Sequence, residues 1–231
     1  MFKIQKIIDP HQPLRFEHKY FITHPEDLAI SESLVPGSFT TSFKKRQVNS
    51  LYFDTPDLLS YHQSMEGAYY RWKIRIRWYG EYYQSNCPAQ LEIKYKRGAL
   101  GGKKLYPLKF FSTERNQLKQ NLIKQIHKQI PPHLQTFFTS LDWALSTSYD
   151  RTYYEHQLYH PVRLTIDSNL KTSLLVGQSR LSQPDKLHPL HIIELKYSPN
   201  PKYQSVVMAL GQILPTPPTR FSKYTWGMGG E

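Results

Sequence analysis

Five segments of the 231-residue chain alternate charged and apolar residues: Arg15/Glu17/Lys19, Arg71/Lys73/Arg75/Arg77, Glu92/Lys94/Lys96, Arg163/Thr165/Asp167 and Glu194/Lys196. Side chains two apart on a β-strand share a face, so behind each ionic row stands an apolar one, made by Phe16, Ile74, Ile76, Ile93, Leu164 and Leu195. A single strand of this kind would simply have a solvated ionic face. Five of them, spread over the whole chain, predict a shared ionic surface. The economical arrangement is a closed antiparallel β-barrel lined with cations and a few carboxylates.

The rest of the chain fits an α+β fold. Strands are expected at Leu14–Ile22, Gln47–Phe53, Tyr69–Tyr79, Cys87–Lys96, Ser148–His156, Pro161–Leu170 and Leu190–Tyr197. Gly98, Gly101 and Gly102 mark a turn after the Tyr69–Lys96 hairpin. A short helix is expected from His24 to Pro36, and another after Asp54-Thr55-Pro56, where a capping residue precedes proline. Leu118, Leu122, Ile126 and Ile130 recur every four residues, which predicts an amphipathic helix within 113–130 that stops at Pro131-Pro132. Further helices are expected at His133–Leu145 and Pro201–Leu214. No linker or repeat divides the chain, so residues 1–231 are read as a single domain.

Thirty Lys and Arg against 18 Asp and Glu give a formal net charge of +12, which points to a polyanionic partner. The lone Cys87 rules out an intramolecular disulfide and favours a reduced, cytoplasmic setting. The first residues lack the apolar core of a secretory signal, and no stretch approaches the roughly 18 apolar residues of a membrane-spanning helix. The ten histidines show no zinc-ligand spacing. No P-loop is present, so a nucleotide would have to be held by its phosphates. Because the basic residues alternate with apolar ones on strands and form no exposed basic and aromatic patch, no nucleic-acid partner is expected.

Like charges buried together are costly unless an anion or water fills the space between them. Arginine forks and lysine point charges suit a run of phosphates. Glu17 and Glu194 among those cations make sense as ligands of a hard divalent ion that bridges to phosphate oxygens.

Eight blocks, in order, then resemble a known family: Arg15–Tyr20, Asn49–Thr55, Lys73–Arg77, Glu92–Lys94, Ser148–Arg151, Arg163–Asp167, Glu194–Tyr197 and Phe221–Tyr224. Together they resemble the catalytic domain of the vacuolar transporter chaperone (VTC) family, the polyphosphate polymerases of the triphosphate tunnel metalloenzyme superfamily. The resemblance implies that the barrel, of about eight strands with helices packed outside, forms a tunnel in which Lys19, Arg75, Arg77, Lys94, Arg151, Arg163, Lys196, Arg220 and Lys223 hold phosphates. Glu194 would bind Mn2+ or Mg2+, with Glu17 as second acidic contributor. The implied reaction transfers the terminal phosphate of ATP to a polyphosphate or pyrophosphate acceptor. The superfamily's hydrolases open with Glu-x-Glu-x-Lys, whereas this chain has Arg15-x-Glu17-x-Lys19, which matches the polymerase branch better. The alternatives are a triphosphate hydrolase on the same scaffold and a non-catalytic polyphosphate-binding module.

Overall fold

The computed structural model describes residues 14–24, 38–214 and 216–230. Among these, nine strands form one antiparallel sheet: β1 (Phe16–Ile22), β2 (Phe39–Asp54), β3 (Tyr70–Tyr79), β4 (Gln84–Arg97), β5 (Leu100–Thr113), β6 (Asp142–His156), β7 (Arg163–Leu174), β8 (Lys186–His188) and β9 (His191–Tyr197). The strand order is β1-β9-β7-β6-β2-β3-β4-β5, with β8 attached to β7. Five helices accompany it: α1 (Leu59–Met65), α2 (Lys119–His127), α3 (Pro132–Thr139), α4 (Pro201–Ile213) and α5 (Lys223–Gly227).

The barrel expected from the sequence is not closed by a continuous ladder. Its two outer strands meet at one bridge, where Arg15 and Gly101 exchange backbone hydrogen bonds of 3.0 and 3.1 Å. Farther along β1, the C-terminal segment takes the free edge instead, with the Thr219 N–H donating to the Lys19 carbonyl at 2.7 Å.

The apolar rows face outward and are covered. Ile74, Ile76, Leu91 and Ile93 pack with Leu122 and Ile126 of α2 and with Leu134, Phe137 and Phe138 of α3. On the other side Tyr20, Leu164, Ile166, Ile193 and Leu195 pack with Val207 of α4. Each such side chain contributes roughly 1.5–3 kcal/mol on burial, and slipping a strand by one residue would send it to the ionic side. The outer core therefore fixes which face of every strand looks inward.

Several boundaries differ from the sequence reading. The glycines after Lys96 make a tight turn only at Gly98 (φ +60°); Gly101 and Gly102 already belong to β5. Gly102 is there because a Cβ would collide with the Tyr95 ring. Strand β5 runs to Thr113 and α2 is correspondingly short, with Leu118 at its N-cap and 42% exposed. Pro132 opens α3, and the expected helix ends at Thr139, because Asp142–Leu145 already belongs to β6. Strand β2 starts at Phe39, eight residues before the expected Gln47, and the short strand β8 and helix α5 were not expected. The helix expected after His24 lies outside the described residues. No helix among the described residues is long and apolar enough to cross a membrane.

Candidate active site

Antiparallel register turns the separate ionic rows into one lining. Glu17 stands opposite Lys196 and Lys19 opposite Glu194 across β1 and β9, Arg75 opposite Glu92 across β3 and β4, and Arg151 opposite Asp167 across β6 and β7. They enclose a cavity of about 890 Å³. Among the described residues its walls carry fourteen Lys and Arg against two carboxylates, Glu17 and Glu194.

Two further carboxylates lie beneath the cations and hold them in place. Glu92, 1% exposed, accepts from Arg75 Nε at 2.8 Å and Nη2 at 2.6 Å and reaches Arg77 Nη1 at 3.4 Å. Asp167, also 1% exposed, takes Arg151 Nε and Nη2 at 2.5 and 2.6 Å and Lys223 Nζ at 2.5 Å. Tyr52 and Tyr149 complete the fixation, their hydroxyl oxygens accepting from Arg75 Nη1 at 3.0 Å and Arg77 Nη2 at 3.3 Å. Arg77 Nε is buried with no hydrogen-bond partner. A donor left this way in the wall of a polar cavity suits an anion.

Glu194 is the hub of the third group, paired with Lys196 Nζ at 2.5 Å, Arg151 Nη2 at 3.7 Å and Lys19 Nζ at 3.8 Å. Glu17 sits diagonally across the β1–β9 pair and receives Lys94 Nζ at 3.5 Å. Burial opposes ionisation of Glu17, but Lys94 beside it, with Lys196 and Lys19, brings its pKa down to about 2. Glu194 is held well below the usual carboxylate range in the same way, by Lys196, Lys19, Lys94 and Arg151 against the cost of burial. The cations carry the complementary strain. Burial lowers Lys19 to about 8 despite Glu194 and Glu17, and lowers Lys103 to about 8 despite Glu92.

The structure brings Lys19, Arg75, Arg77, Lys94, Arg151, Lys196 and Lys223 together on the cavity wall with Glu17 and Glu194. Arg163 and Arg220 border the same cavity from more open positions. Arg163 is 57% exposed and pairs with Glu155 at 3.6 Å, while Arg220 is exposed. Arg71, Lys73 and Lys96, which belong to the same ionic rows but not to the phosphate-binding set that the resemblance implies, also line it. Lys73 Nζ donates to Ser222 Oγ at 2.9 Å, and burial together with Lys19, Lys94, Arg71 and Lys96 pushes its pKa well down. Lys73, Lys94 and Lys103 stand side by side across β3, β4 and β5, an arrangement of like charges that is unfavourable without an anion.

Sequence reasoning missed Glu92, Tyr52, Tyr149 and Lys103 as site residues. Glu92 and Tyr149 sit two positions from Lys94 and Arg151, so the same period-two rows contain them. Lys103 had no such signal, since its strand was read as a turn.

For a divalent metal the donors are few: no group of three or more His, Cys, Asp or Glu converges among the described residues. Magnesium-like ions are commonly held by one or two carboxylates plus substrate phosphates, and two ionised, diagonally placed carboxylates fit that mode. They do not fit a cage made by protein alone.

Two solved structures resemble this fold. A Hippeastrum protein described as a candidate adenylyl cyclase with a dominant triphosphatase activity matches at TM-score 0.51 and 12% identity, over 93% of this chain and 95% of that one. A candidate adenylate cyclase from Vibrio parahaemolyticus matches at TM-score 0.50 and 11% identity, over 92% of this chain and 96% of that one. At such identities the likeness is one of fold. Comparison with curated protein sequences gives no match. The chain belongs to the VTC domain family, whose model matches residues 4–229.

Proposed function

We propose that this protein is a metal-dependent polyphosphate polymerase that moves the terminal phosphate of ATP onto a polyphosphate or pyrophosphate acceptor. The observation that carries the reading is the cavity's surplus of cations over carboxylates in a chain of the VTC family. A triphosphate offers the matching charge in linear form, and arginine forks bind its oxygens two at a time.

Arg75 and Arg77, pinned through Glu92, and Arg151 and Lys223, pinned through Asp167, would grip the phosphates without first having to find their rotamers. Lys19, Lys94 and Lys196 flank the two carboxylates that would hold Mn2+ or Mg2+, Glu194 and Glu17. When bound, that ion supplies further neutralisation of charge on the phosphate oxygens. Phosphoryl transfer needs in-line placement and charge stabilisation, and no nucleophile from the protein. An oxygen of the acceptor's end phosphate forms the new P–O bond as the bond to ADP breaks. Arg163 and Arg220, at the borders, would act on the part of the chain passing in or out. The free, buried Cys87 is compatible with a cytoplasmic setting.

Incubation of the protein with ATP, Mn2+ and a pyrophosphate primer tests this. The expected products are ADP and acid-precipitable phosphate chains. Orthophosphate without chains would make it a triphosphate hydrolase on the same scaffold, and binding of polyphosphate without turnover would make it a binding module.

A further inference from the structure

On β3 the inward row runs Arg71, Lys73, Arg75, Arg77, Tyr79. The C-terminal segment occupies one end of that row through the Ser222–Lys73 hydrogen bond. The other end is finished by residues that no phosphate-binding role explains. There the register of β2 against β6 slips twice, between Thr41 and Phe43 and between Phe43 and Arg46. Residues three apart on a regular strand face opposite sides, but these irregularities turn Phe43 and Arg46 to the same place, as bulges at barrel rims do.

The Arg46 guanidinium lies 4.0 Å from the centre of the Tyr79 ring, 4.9 Å from Tyr153 and 5.8 Å from Phe43, and Nε donates to the Tyr153 hydroxyl at 3.1 Å. Among the described residues it has no carboxylate partner. Phe43 is 62% exposed, its ring packed edge to face on Tyr153 at 5.7 Å. Tyr79 and Tyr153 line the cavity, and Arg46 is the direct cross-strand neighbour of Arg151. An exposed aromatic residue and a flat guanidinium without a carboxylate partner among the described residues therefore stand beside the end of the cavity lined by Tyr79 and Tyr153, one step from an arginine of the phosphate site.

We propose that Phe43 and Arg46 form a stacking platform for the nucleobase of the nucleoside triphosphate whose phosphates enter the cavity. Flat heteroaromatic rings stack on aromatic side chains and on arginine with little dependence on base identity. The platform would therefore accept several nucleotides and add affinity that inorganic triphosphate cannot gain. This inference rests on the proposed triphosphate-binding cavity and adds to it a site for the part of the substrate that is not phosphate.

Binding of adenosine β,γ-imidotriphosphate and of inorganic tripolyphosphate, measured by calorimetry on the full chain, tests the platform. Phe43→Ala should weaken the nucleotide about tenfold and change tripolyphosphate less than twofold. Phe43→Trp should retain nucleotide binding and show fluorescence quenching with the nucleotide but not with tripolyphosphate. Equal losses for both ligands, or no loss for either, would overturn the platform while leaving the cavity reading intact. Failure of the unsubstituted protein to bind either ligand would overturn both.

Discussion

Glu92 shows how much one residue can decide. Its carboxylate orients both Arg75 and Arg77, and their guanidiniums in turn hold it well below the usual carboxylate range against the cost of burial. Breaking a buried pair by neutralising one partner typically costs about 3–5 kcal/mol, against under about 1 kcal/mol for an exposed pair. Urea unfolding of Glu92→Gln should show a loss in the first range and that of Arg163→Ala in the second. Losses of equal size would mean that Glu92 is not the fixing point. Lys19 and Lys103 bear on pH. A bound polyanion favours their protonated forms, yet in the free protein burial brings both to about 8. Affinity for tripolyphosphate should thus be full below pH 8 and fall above it, by up to about tenfold per pH unit for each lysine. Calorimetry from pH 7 to 10 reads this directly, and a flat profile would count against both lysines as ligands. The ionic rows were legible because period two is written into the chain. Which ions meet was not: Arg75 with Glu92 and Arg151 with Asp167 follow from register, and register is set by pairing across strands that the sequence does not display.

The elements repeat that division. β3, β4, β7 and β9 were legible from their alternation, and α2 from Leu122 and Ile126. β5 was not, because Gly101 and Gly102 carry the local signature of a turn, while in the structure both lie in a strand and Tyr95 across the ladder requires residue 102 to be glycine. The helix expected to reach Leu145 stops early because Trp143, Ala144 and Leu145 are claimed by pairing with β2 and burial in the sheet, a tertiary preference that overrides local propensity. Helix α5 is too short to show periodicity. It is held by its Ser222 cap, by stacking of Tyr224 on Tyr52 at 5.2 Å and by the Tyr224 hydroxyl donating to Asp54 at 2.6 Å. Asp54 also accepts from the N–H groups of Thr55, Ser60 and Tyr61, so one buried carboxylate ties the start of α1 to α5. Tyr224→Phe should cost about 1–3 kcal/mol and raise amide hydrogen exchange in 216–230 before it does so in the strands. Uniform exchange along the chain would show that α5 is not secured through this bond.

At the scale of the molecule, the net charge of +12 is concentrated where it costs most, on the inner wall. The outer face supplies the stabilisation that tolerates this: two apolar clusters against helices drive the sheet to curl with its ions inward, and four carboxylates neutralise only part of the surplus. The sequence carries both halves of that arrangement, the apolar and the ionic rows. It does not carry the opening between β1 and β5, which is bridged once, at Arg15 and Gly101, and otherwise bordered by the C-terminal segment. On the proposed function, a linear polyanion would complete a chain built this way. The measurement that tests this most directly is a crystal structure of the protein soaked with tripolyphosphate and Mn2+. Phosphates are expected among Arg75, Arg77, Arg151 and Lys223, with the metal on Glu194 and Glu17. An empty cavity, with the anion bound only on the outer surface, would contradict it.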